Sequence, residues 1–155
     1  MNIFVLDTDQ EKAAHYHVDK HVVKMPLETA QLLCTVHHLS GTKSDMIPYR
    51  ATHKNHPSTK WAAESLSNYK WLVELGIRIC EEYTYRYEKV HKCEEVVRWC
   101  EKNIPDIPDS GLTSFAQAMP DECKRADAVE AYREYYKKSK SHLFSWRKRG
   151  KPSWL

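Results

Sequence analysis

PSTKWAAESLSNYKWLVELGIRICEEYTYRY, residues 57–87, is the stretch whose spacing decides the fold. Trp61, Ser65, Tyr69, Leu72, Leu75 or Gly76, Ile79 and Tyr83 recur three and four residues apart. That period draws the buried stripe of a helix; a strand would alternate every second residue. Pro57 suits a first helical turn, where its missing N–H leaves no bond unmade. One long helix is expected, from His56 or Pro57 to about Tyr87.

Upstream, Asp19 to Leu39 repeats the pattern through Val23, Leu27, Ala30 or Gln31, Cys34 and Leu39, and Ser40-Gly41 ends it. Pro26 interrupts it and should kink the helix or divide it near that residue. Asp9 can cap a short helix from Gln10 to about His17. Ile3 to Leu6 is a brief apolar run, readable as an arm laid on the helices or as part of a very small sheet. Ser44 to Pro57 is a polar loop. Downstream, Val90–Lys102 and Ala126–Lys140 read as helices, separated by a link that begins at Pro105 and Pro108 and contains Ser110-Gly111 and Met119-Pro120-Asp121. The expected fold is one all-α domain over residues 1–155, with an extended N-terminal segment.

Composition limits the classes of function. The chain has 155 residues, 41% of them hydrophobic, with 4 Gly and 7 Pro, which suits one packed domain and leaves no repeat or low-complexity tract. No apolar run approaches the roughly 20 residues that cross a bilayer, and no membrane contact is expected. Cys34, Cys80, Cys93, Cys100 and Cys123 include no C-x-x-C pair. With no secretory signal in the opening residues, they suggest free, mostly buried thiols in a reducing cytoplasm. The net charge of +3 is too small to diagnose a polyanion partner. Its distribution says more. Residues 137–155 hold Lys137, Lys138, Lys140, Arg147, Lys148, Arg149 and Lys151 without a single carboxylate side chain, a basic C-terminal segment suited to phosphate.

Chemistry concentrates in HYHVDKHVVKMPLETAQ, residues 15–31. His17, His21, Lys24 and Glu28 would share one face of a continuous helix, placing bases, a cation and a carboxylate in line. Asp19 and Lys20 add an opposed pair. Glu28 can act as a base, while His21 and Lys24 can hold anionic oxygen. His17 and His21 have the spacing of a helical metal pair, but H-V-D-K-H lacks the glutamate of the zinc motif. Acid–base work or phosphate contact is the better reading, with no metal or cofactor expected.

A second cluster, THKNHPSTKW at 52–61, puts His53, Lys54, Asn55 and His56 before a proline-led helix. Free N–H groups at a helix start favour phosphate. Asn68 and Arg86 on the long helix are further candidates for substrate contact, and Glu81 or Glu82 could face the cluster.

Taken together, DKHVVKMPLETAQLL and NHPSTKWAAESLSNYKWLVELGIRICEEY resemble the pyrimidine-dimer DNA glycosylases over about residues 1–87. The later strings GLTSFAQAMPDECK and VEAYREYY are similar to a set of phage-borne proteins, and that likeness covers nearly the whole chain. The resemblance implies a helical, metal-free enzyme that cuts the N-glycosidic bond at ultraviolet-induced dimers in DNA. It also implies a polar site at Lys24, Glu28 and His56. Enzymes of that type use the α-amine of an N-terminal Thr. Here the chain begins Met1-Asn2, and His21 and Lys24 stand where the family has arginines.

The expected function is thus a DNA-base-directed enzyme, either glycosylase-like or a transferase joining an amine to a modified pyrimidine. A nonenzymatic DNA- or protein-binding module is the alternative. An α-amine deprotonates more easily than a lysine, at about 7.7–8.0 against about 10.4. Because the Met1 side chain would crowd the sugar, direct displacement is expected over an imine.

Overall fold

The computed structural model describes all 155 residues and contains helices and turns with no strand. Helix α1 (Gln10–Tyr16) opens on Asp9, whose carboxylate accepts from the Lys12 N–H at 3.0 Å. After Val18 the chain enters α2 (Asp19–Leu39), followed by a 3₁₀ turn at Ser44–Met46. Then come α3 (Pro57–Glu64), α4 (Leu66–Tyr87), α5 (Glu94–Lys102) and α6 (Ala128–Ser139). Helices α2 and α4 form the centre, with α3 and α5 against both and α1 against α4. Ile3–Leu6 is an arm buried on the helices, and Arg133 Nε donates to the Leu6 carbonyl at 2.9 Å.

Four details differ from expectation. Pro26 does not divide α2, which runs unbroken through it. Packing on both sides of the helix outweighs the bond that proline removes.

The long helix is instead two, broken at Ser65, whose backbone is extended at φ −151° and ψ 142°. Asp109 caps the new start from far along the chain. It accepts from the Ser67 N–H and Oγ at 3.2 and 2.7 Å, and from Ser65 Oγ at 3.1 Å. Leu66 N–H finds the Pro108 carbonyl at 2.9 Å. The Ser67 hydroxyl, then the Gly111 N–H and the Ser65 hydroxyl, hold the Asp109 carboxyl down at about 2.

The third difference is the face that α2 buries. Val23, Leu27 and Leu39 point outward, while His21, Glu28 and His37 are buried among Val22, Met25, Leu32, Leu33 and Val36. Polar groups enter the interior when partners await them: His37 lies 2.9 Å from both Tyr69 Oη and Thr42 Oγ1.

Helix α5 also starts four residues later than expected, at Glu94, because the His91 ring caps the turn before it by accepting from the Cys93 N–H at 3.0 Å. All five cysteines are free and buried. No helix is long and apolar enough to cross a membrane.

Candidate active site

Glu28 projects from the middle of α2 toward the first residue of the chain. Its Oε1 lies 3.2 Å from the Met1 α-amine and accepts from the Asn2 N–H at 3.0 Å, and its Oε2 lies 3.4 Å from Lys24 Nζ. The Lys24 side chain is 68% exposed, so this pair is open to anything entering from solvent.

The Met1 side chain is only 2% exposed and packs against the core, whereas the residue as a whole is half-buried. The accessible part of Met1 is therefore its main chain. The thioether turns inward and so does not cover the amine.

Asn2 fixes that arrangement. Its Nδ2 donates to the Ala118 carbonyl at 2.9 Å, and its Oδ1 accepts from the Tyr132 hydroxyl at 3.2 Å and the Ile3 N–H at 2.8 Å. Nothing in the local sequence marks Asn2 for this role, because its partners arrive from the far end of the chain.

His21 joins Met1, Lys24, Glu28, Tyr135 and Lys140 around a cleft of about 170 Å³. Its ring stacks on Phe4 with centroids 4.3 Å apart. Burial pushes its pKa down to about 3, with His17, Lys140 and Lys24 adding to the effect. His21 therefore works as a neutral group and cannot supply a cation for phosphate. His56 approaches from α3, accepting the Ser58 N–H on Nδ1 at 3.0 Å. Its imidazole meets the Met1 backbone and feels both the terminal amine and Glu28, while burial is the main reason its pKa is lowered.

Other residues expected at the site lie elsewhere. His17 precedes α2 and so does not share its face. It is buried completely, bonds the Ala13 carbonyl at 2.6 Å through Nδ1, and is driven by burial down to about 4. Asn68 is also sealed in, linking the Trp61 carbonyl at 2.8 Å to the N–H and hydroxyl of Thr113 at 2.9 and 2.7 Å.

Arg86 is fully buried beside Glu82 at 2.7 Å and Asp19 at 3.0 Å, and it also donates to the His15 and His17 carbonyls. Glu82 faces this network and not the cleft. These buried groups cannot touch a substrate on the surface.

Lys20, His53, Lys54 and Asn55 are exposed. His53 adopts φ +50°, with Nδ1 2.8 Å from Thr52 Oγ1. Asn55 does not cap α3, because the His56 ring does.

The basic C-terminal run is divided in its use. Arg149 grips Glu82 with bonds of 2.9 and 3.0 Å, Lys148 pairs with Glu88 at 3.2 Å, and Arg147 lies over the Tyr87 ring. Lys138 lies 3.7 Å from Glu134, Lys137 and Lys151 are exposed, and Lys140 reaches the cleft. A wider groove of about 480 Å³, beside Leu27, Gln31 and Tyr49–Thr52, contains no carboxylate next to a base. The amine, the carboxylate and the His21 imidazole meet at the smaller cleft.

An N-terminal amine against a buried glutamate, on a helical core, sets the frame for comparison. A family model described as pyrimidine dimer DNA glycosylase matches residues 1–95. The chain belongs to this family. No match was found among curated proteins or among solved structures. The matched part of this glycosylase-family chain contains Met1, His21, Lys24, Glu28 and His56. Tyr135 and Lys140, which also line the cleft, lie beyond it.

Proposed function

We propose that the protein is a DNA-base-directed enzyme that breaks the N-glycosidic bond of a pyrimidine nucleotide, with the Met1 α-amine as nucleophile. The observation that carries this reading is the 3.2 Å approach of that amine to Glu28 in a cleft from which the Met1 side chain is turned away. Membership of the glycosylase family supports DNA as the partner. So do Lys24 and Lys140 at the cleft and the exposed cations Lys20 and Lys54.

The unprotonated amine attacks C1′, and the pyrimidine leaves with the electron pair of the glycosidic bond and takes up a proton. Glu28 takes a proton from the nitrogen newly bonded to C1′ and returns it to O4′ as the sugar ring opens, which leaves a protonated imine. Water then hydrolyses the imine and restores the amine. The neutral His21 imidazole and the Lys24 ammonium offer donors to these oxygens, while His56 stands beside the Met1 backbone.

Borohydride trapping tests the assignment. Dimer-containing, abasic and undamaged DNA are each incubated with the protein, and any covalent adduct is mapped by mass spectrometry. An adduct at Met1, lost when one glycine is added before Met1, is the expected result. Turnover without an adduct would replace this mechanism by direct displacement or group transfer. Binding without turnover of any of the three DNAs would reduce the protein to a binding module.

A further inference from the structure

Helix α6 brings a fully buried hydroxyl to the back of the cleft. Tyr136 Oη lies 2.7 Å from His21 Nδ1, and the same oxygen accepts from the Val18 N–H at 3.3 Å. The Val18 N–H can only donate. If His21 also donated, the Tyr136 O–H hydrogen would be left in the interior without an acceptor. With His21 Nδ1 as the acceptor, every group is paired, and the ring's proton lies on Nε2.

Phe4 stacks on the imidazole and limits its rotation. Nε2 has no partner within the protein, and His21 lines the cleft beside Met1, Lys24, Glu28 and Lys140. The ring thus has one end fixed from behind and one end free toward the substrate.

We propose that Tyr136 is a positioning residue that holds His21 as the Nε2–H tautomer, so that this N–H donates to an oxygen in the cleft. The inference rests on the glycosylase reading above for the identity of that oxygen. As the glycosidic bond breaks, its electron pair spreads from the pyrimidine ring nitrogen onto the neighbouring carbonyl oxygen. A fixed, neutral N–H stabilises charge developing there without reorganising. The strong lowering of the His21 pKa by burial agrees with a group that stays neutral while it does so. Tyr136 lies outside the matched family residues, so the contribution belongs to the C-terminal part of this chain.

Imidazole ¹⁵N spectroscopy of the full chain decides the point. In the wild-type protein, His21 is expected to show a protonated Nε2 and a hydrogen-bonded, unprotonated Nδ1. In Tyr136→Phe, checked for folding by circular dichroism, that preference is lost. Turnover of dimer-containing DNA falls about ten- to a hundredfold, while Kd for the same DNA is unchanged.

A wild-type His21 protonated on Nδ1 overturns the proposal, as does a Tyr136→Phe protein that keeps both tautomer and rate. If no DNA is turned over, the glycosylase reading fails alone, because the wild-type tautomer still tests the role of Tyr136.

Discussion

Asn2 and Tyr132 stand 130 positions apart in the chain and share a 3.2 Å hydrogen bond. The same tyrosine hydroxyl donates to the Ala116 carbonyl at 2.7 Å and accepts from the Ala118 N–H at 3.3 Å, and burial raises its pKa to about 12. Because a hydroxyl has one hydrogen, the two acceptors compete for it, and Asn2 and the 116–118 segment are drawn to a common point. The position of the terminal amine follows from this clamp.

Asn2→Ala removes the clamp and leaves the Ala118 carbonyl without its donor. Stability should fall by about 1–3 kcal/mol in a urea titration. The yield of the Met1 adduct should fall further than stability explains under conditions where the variant is fully folded. An undiminished adduct would mean that the arm alone positions the amine.

Glu28→Gln keeps the shape of the side chain but removes its capacity to accept a proton. Single-turnover rates on dimer-containing DNA should fall about a hundred- to ten-thousandfold. Affinity for the same DNA should hold or rise, since a negative charge is withdrawn from beside Lys24 and Lys140. Equal losses in rate and affinity would assign Glu28 to binding.

His17 and His21 impose a pH dependence on stability. In the folded protein their pKa values lie at about 4 and about 3, against 6.5 for an ordinary histidine. Below pH 6.5 the unfolded chain binds these two protons and the folded chain does not, so stability declines as pH falls. The decline amounts to about 1.4 kcal/mol per pH unit for each group until the folded value is reached. Urea midpoints at pH 7, 6 and 5 measure it. His17→Asn, which retains an amide donor for the Ala13 carbonyl, should flatten the slope; an unchanged slope would place the effect in other groups.

Gly76 marks a close approach of α4 to α2 and α5. A Cβ built there would lie 2.9 Å from Thr29 Cγ2 and 3.0 Å from Val97 Cγ1. Alanine gains about 1 kcal/mol in helix propensity over glycine. The two obstructing side chains are β-branched and stiff, so overpacking should prevail. Gly76→Ala should lower stability by about 1–3 kcal/mol, and adding Val97→Ala should recover part of the loss. A stabilised single variant would show that α2 and α5 can move apart.

These relationships were legible in the sequence to different degrees. The stripe from Trp61 to Ile79 could be read because local spacing governs which helical positions meet the core. The Asp9 cap was equally local. The break at Ser65 was hidden, since the carboxylate that makes it favourable belongs to Asp109. The outward turn of Val23 and Leu27 was hidden for a related reason: the partners that let His21 and Glu28 face inward include Tyr136, Met1 and Asn2. Lys24, Glu28 and His21 could be nominated by type and spacing, and the structure does group them at one cleft. His17, Asn68 and Arg86 show the opposite case, where a functional-looking polar group serves the interior.

The clamp on Asn2 also imposes an order on synthesis. Glu28 and the arm leave the ribosome early, but Ala118 and Tyr132 are added only after most of the chain exists. Folding follows the emerging chain, so an incomplete product carries the carboxylate and the amine without the parts that join them. The placement of Asn2, and with it that of the terminal amine, is complete only when α6 docks.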